Sequence, residues 1–192
     1  MKSKHFSKKG FTLIELLVVI AIVAVLAVVV LLTLNPAQLL KQARDSNRIS
    51  DMATIKSALA LYLSDVSSPS LGNTANCYVH PSSTIVSSGC GSRFSASTAT
   101  GTASNAVDGN GWIPVNFNGI SSGAPVSVVP VDPVNSVSYY YAYRASSSLT
   151  YELNADMESN KYQAGGSSDV ENTDGGNSST IYEVGTAPGL SL

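Results

Sequence analysis

The chain has 192 residues, a formal net charge of −2 and only 12% charged residues. Four of its eleven basic residues, Lys2, Lys4, Lys8 and Lys9, precede Gly10, so seven basic residues oppose thirteen acidic ones after it, a formal −6. That balance argues against general nucleic-acid binding, which rests on a basic stripe.

The first element is an apolar run. Between positions 11 and 34 the only polar residues are Thr12, Glu15 and Thr33, and residues 16–32 form an unbroken apolar stretch of 17. As a helix rising about 1.5 Å per residue, this run is roughly long enough to cross the hydrocarbon core of a bilayer. A cleaved secretory signal fits poorly, because its apolar region is shorter and ends in a small-x-small site. An ordinary signal anchor fits the length but leaves Gly10 and Glu15 without a reason. A charged carboxylate at mid-bilayer costs about 2.5–3.5 kcal/mol or more, so Glu15 calls for a partner; an amine created at Phe11, one turn away, would supply one. The basic leader keeps its own end cytoplasmic, which places the rest of the chain on the outer side of the membrane.

Asn35-Pro36 either restarts a helix, as N-cap followed by a first-turn proline, or kinks a continuous one. Residues 37–66 then read as an amphipathic helix. Leu39, Leu40 and Ala43 begin an apolar stripe, and Met52, Ile55, Leu59, Tyr62 and Val66 resume it at steps of three and four. Lys41, Asp45, Arg48 and Asp51 read as a solvated charged face, with pairing between subunits as the functional alternative.

Residues 67–111 are rich in Ser, Thr, Gly and Asn and predict a long irregular connection, with short strands near Tyr78 and Ile85. Its two cysteines, Cys77 and Cys90, are expected to form one disulfide in an outward-facing domain; two buried free thiols are the alternative, and zinc lacks ligands. Residues 112–117 predict a strand, demoted to an edge by Pro114. Residues 137–144 and 149–158 alternate with period two and predict one antiparallel hairpin, and residues 181–184 a further short strand. The acidic stretch 167–177 offers oxygen donors at Asp169, Glu171 and Asp174, which suit calcium; a solvated acidic loop is the competing reading. No phosphate-binding glycine loop and no placed acid–base pair is present, and His5 falls in the leader, so no enzymatic site is expected.

Lys8-Lys9-Gly10-Phe11-Thr12-Leu13-Ile14-Glu15, followed by the apolar run, resembles the processing site of type IV prepilins and type II secretion pseudopilins. The resemblance implies a leader at 1–10 removed after Gly10, methylation of Phe11 and an assembly role for Glu15. It further implies a membrane and polymerisation helix at 11–34, its amphipathic distal half at 35–66, and an outward-facing β-rich domain at 67–192. The fold implied is α+β and pilin-like, a long N-terminal helix packed on a small antiparallel sheet. The partners implied are other copies of the chain, a prepilin peptidase, and an assembly platform with its ATPase. Storage would be in the bacterial inner membrane before incorporation into a periplasmic or surface filament. Major pseudopilins also hold calcium in a C-terminal loop, which favours the metal reading of Asp169, Glu171 and Asp174. Pro130-Val131-Asp132-Pro133 loosely resembles the turn before their sheet, without its usual Trp-Gly continuation. A minor pilin or competence pseudopilin that binds DNA or surfaces, or a plain membrane-anchored domain, are the competing functions.

Overall fold

The structure, a computed structural model, describes residues 10–81, 89–95 and 97–192. The strand expected near Ile85 and all of the leader before Gly10 lie outside these residues. The chain divides into two compact units, residues 1–39 and 40–192.

In the first unit, α1 (Leu13–Leu34) is the apolar run, and its residues Leu13–Leu31 are long and apolar enough to cross a membrane. Asn35 ends it in a left-handed conformation, φ 39°, which asparagine tolerates better than most residues. The Asn35 side chain and carbonyl then both accept from Gln38 N, at 3.4 and 2.9 Å, and α2 (Pro36–Asp65) starts with proline in its first turn. Asn35-Pro36 is thus a stop and restart.

In the second unit, α2 lies on a five-stranded sheet, so the fold is α+β as expected. The strands are β1 (Asn76–Val79), β2 (Thr98–Gly101), β3 (Ala142–Ala145), β4 (Tyr151–Ala155) and β5 (Tyr182–Gly185), in the order β2-β1-β3-β4-β5. Three pairings are antiparallel, including the expected β3–β4 hairpin; β2 joins β1 in parallel, making the sheet mixed. One cross-strand row, Tyr78, Tyr143, Leu153 and Val184, packs with Met52, Ile55, Leu59 and Tyr62 of α2 in the main core. Each large apolar side chain buried there contributes about 1.5–3 kcal/mol. The phenol groups are satisfied inside this core: Tyr143 Oη donates to Leu71 O at 3.0 Å and Tyr151 Oη to Lys56 O at 3.2 Å.

The strand expected at 112–117 is replaced by irregular chain. Trp112, Ile113, Val115 and Phe117 are all buried, but Trp112 N bonds to Ser104 O and Phe117 N to Val107 O in other loops, while Val115 N turns back to Ile113 O. Burial on both sides, rather than one sheet face, produced the apolar pattern. The upper stripe also differs: Leu39 and Leu40 are 50% and 62% exposed, and the buried face begins instead at Asp45 and Arg48.

The far face of the sheet carries a second cluster of Cys77, Val79, Cys90, Phe94, Tyr140 and Ala142. Cys77 and Cys90 are joined there, Cα atoms 6.1 Å apart, pinning the turn at residues 89–92 beneath the sheet.

Candidate processing and assembly segment

Gly10 and Phe11 precede the first helical turn and are exposed. A side chain at Gly10 would meet no atom within 4 Å, so nothing in the chain's own fold demands glycine there. The bond between Gly10 and Phe11 therefore lies in open, non-helical backbone, as a protease requires.

Thr12 is the N-cap of α1. Its Oγ1 accepts from Glu15 N at 3.3 Å, while Glu15 Oε2 accepts from Thr12 N at 2.8 Å and Thr12 Oγ1 at 2.9 Å. This reciprocal capping box satisfies donors that the first turn leaves unpaired. Glu15 thus has a partner inside its own chain that the sequence reading passed over. The signal was present: Thr-x-x-Glu immediately before an apolar run marks a helix start. The rest of α1 offers apolar side chains on every side. Leu13, Ile14, Leu16, Val25 and Leu31 range from 61% to 82% exposed. A helix apolar all round belongs in lipid or packed among other helices.

The charged group on α2 is not the solvated face expected. Arg48 has no exposed side-chain surface and is held by three carboxylates. Its Nη1 meets Asp45 Oδ1, its Nε meets Asp132 Oδ2 and its Nη2 meets Glu158 Oε1, each at 2.6 Å. Burial works against its charge, but the bonds to Asp132, Glu158 and Asp45 outweigh it and hold its pKa above the ordinary value. Arg44 grips Glu158 with Nε and Nη2 at 2.8 and 2.6 Å, and this bond chiefly keeps the Glu158 carboxyl below its usual range. Asp45 also accepts the amides of Glu158 and Ser159 at 2.9 and 2.8 Å. The cluster ties α2 to the 130–135 turn and to the chain leaving β4. Asp51, also read as solvated, accepts Tyr141 Oη at 2.8 Å.

The three proposed calcium ligands are not brought together. Asp169 accepts the amides of Gly165 and Asn172 at 2.7 and 3.0 Å. Glu171 accepts those of Met157 and Ala164 at 3.0 and 2.9 Å, and Asp174 those of Gly176 and Glu183 at 2.8 and 2.6 Å. Asp169 closes its own local turn, whereas Glu171 ties back to Met157 and Ala164, and Asp174 reaches forward to Glu183 on β5. No group of three or more His, Cys, Asp or Glu side chains placed to hold a metal occurs among the described residues. The structure therefore does not gather Asp169, Glu171 and Asp174 into one oxygen cage of the kind calcium takes.

Residues 6–31 match a family model described as the prokaryotic N-terminal methylation motif. No curated protein and no solved structure matches the chain.

Proposed function

We propose that this chain, which carries the methylation motif that is the signature of type IV pilins and pseudopilins, is a membrane-anchored precursor of a filament subunit. A prepilin peptidase cuts between Gly10 and Phe11 and methylates the new amine of Phe11. The subunit waits in the inner membrane through α1, with residues 40–192 on the outer side. An assembly platform and its ATPase then build it into a pilus or pseudopilus, with no catalysis by the chain itself.

The observation that carries this reading is the coincidence of three features in six residues. Gly10 answers to no contact in the fold, the scissile bond stands outside the helix, and Glu15 lies inside a helix whose only other polar residue is Thr33, near its far end. In a filament, packed apolar helices exclude water, and a carboxylate whose charge meets only the neutral groups of Thr12 becomes expensive there. Each Glu15 would select the Phe11 amine of a neighbouring copy and so set the axial step, while the surface of α1 supplies contact area.

The test compares filament yield with the membrane pool of subunit. Glu15→Val should insert as well as the native chain yet assemble poorly, and Glu15→Asp should retain part of the yield. Normal filaments from Glu15→Val would remove the assembly role.

A further inference from the structure

Two buried carboxyls face each other on the far side of the sheet, away from α2. Glu152 on β4 is 1% exposed and Glu183 on β5 is 2% exposed. Glu152 pairs with Gly185 and Glu183 with Asn154, so the two side chains are diagonal cross-strand neighbours on one face of the sheet, within reach of each other. Two ionised carboxylates buried as neighbours with no cation paired to either repel each other, so one of them keeps a proton. Each also holds a backbone amide of a different segment: Glu152 Oε2 accepts Leu192 N at 2.9 Å, and Glu183 Oε2 accepts Ser178 N at 2.8 Å. Leu192 O in turn accepts Ser95 N at 2.9 Å, in the loop that follows Cys90. Gly176 has no room for a side chain, because an added Cβ would run into the Glu183 carboxylate.

The charged groups around the pair do not neutralise it. Arg144, directly across from Glu152 on β3, points its Nη1 at Ser95 O and Oγ, at 3.2 and 2.8 Å. Arg93 places its guanidinium over the Tyr140 ring and donates to the carbonyls of Tyr140 and Ser138. Neither arginine is within ion-pair distance of the two carboxyls among the described residues. Asp174 accepts Glu183 N, and Asp156 lines the same cleft of about 380 Å³ as Arg93 and Glu183, so further negative charge approaches from the loop side. Asn154, cross-strand from Glu183, gives its side-chain amide to Arg93 O at 3.3 Å.

We infer that Glu152 and Glu183 share one proton at neutral pH and act as a proton-dependent latch. The latch fastens the 176–180 turn and the 190–192 segment to the disulfide-pinned loop. Burial, before any other cause, pushes the Glu152 carboxyl up to about 7 and the Glu183 carboxyl upward as well. Loss of the shared proton leaves two adjacent buried negative charges, and the latch opens as pH rises through that value.

The test is hydrogen exchange of the full chain in detergent micelles between pH 6 and 8.5, corrected for the intrinsic rate. Native protein should lose protection at residues 176–180 and 190–192 by about tenfold or more, the equivalent of one pKa unit. Glu152→Gln replaces the carboxylic acid with an amide that donates and accepts at the same places without titrating. It should keep those segments protected at pH 8.5, better than the native chain, and flatten the profile. Glu171→Gln serves as control, since that carboxyl also titrates near 7, and should leave the profile of these two segments unchanged. Identical profiles for native chain and Glu152→Gln would overturn the latch. So would a profile abolished by EDTA, because a bound cation rather than a proton would then bridge the pair.

Discussion

Arg48 on α2 and Asp132 on the 130–135 turn meet side by side, Nε to Oδ2 at 2.6 Å and Nη2 to Oδ1 at 3.0 Å, with no exposed surface on either side chain. Asp132 Oδ1 also accepts the amides of Val134 and Asn135, at 2.8 and 3.0 Å, so one carboxylate shapes the turn and fixes it to the helix. Removing the cation would leave Asp45, Asp132 and Glu158 facing one another in the interior. Arg48→Met should therefore cost about 3–5 kcal/mol, whereas Asp132→Asn, which keeps one carbonyl oxygen, should cost about 1–3 kcal/mol. Denaturant unfolding of the full chain in detergent checks both.

The same cluster predicts acid sensitivity. Arg44 holds the Glu158 carboxyl below its ordinary value, and amide bonds from Asn172 and Gly165 do so for Asp169. A depressed folded pKa contributes stability that is present above the unfolded value and lost as pH falls through the folded one. Glu152 and Glu171 act oppositely: burial raises both to about 7, so their contribution is full below about pH 4.5 and fades as pH rises through 7. Stability should therefore peak on the mildly acidic side of neutrality. Melting midpoints measured from pH 3 to pH 9 give the curve, and a maximum above pH 8 would contradict it.

Calcium should leave the melting midpoint unchanged, and so should chelator, because Asp169, Glu171 and Asp174 are not gathered into one metal-holding group and each is bonded to different backbone amides. Glu171→Ala, by contrast, strands the amides of Met157 and Ala164 and should cost about 1–3 kcal/mol for each left buried. A calcium-dependent rise in the midpoint of the native chain would contradict this.

The Cys77–Cys90 bond closes a short loop, separation 13 residues. Its reduction should cost about 3 kcal/mol by freeing the unfolded chain. Protein recovered without reductant should show no labelled thiol, and melting with and without reductant reads the difference.

The sequence made some of this legible and hid the rest for identifiable reasons. The apolar run, the restart at Asn35-Pro36 and the β3–β4 hairpin each follow from a local pattern, and the structure has all three. Asp45 and Arg48 carry charge, which by itself predicts solvent exposure, and both are buried. They continue the buried stripe of Met52, Ile55, Leu59 and Tyr62 backward at the same steps of three and four, and only their distant partners Asp132 and Glu158 show why. Strand β2 has no alternation to announce it, since its four residues, Thr-Ala-Thr-Gly, sit at a partly exposed edge. The spacing of the loop carboxylates suits a metal site, but spacing along the chain does not reveal that backbone amides as distant as Met157 and Glu183 hold Glu171 and Asp174 apart.

Cleavage of the bond between Gly10 and Phe11 is the step from which methylation and assembly of the proposed subunit follow. Mass spectrometry of the N-terminus of the mature protein, taken from membranes or from filaments, should find a chain beginning at methylated Phe11. Gly10→Leu should leave the precursor uncut, although the fold offers no contact that the new side chain would disturb. Mature protein that still carries Lys8 and Lys9, in cells with an active prepilin peptidase, would contradict it.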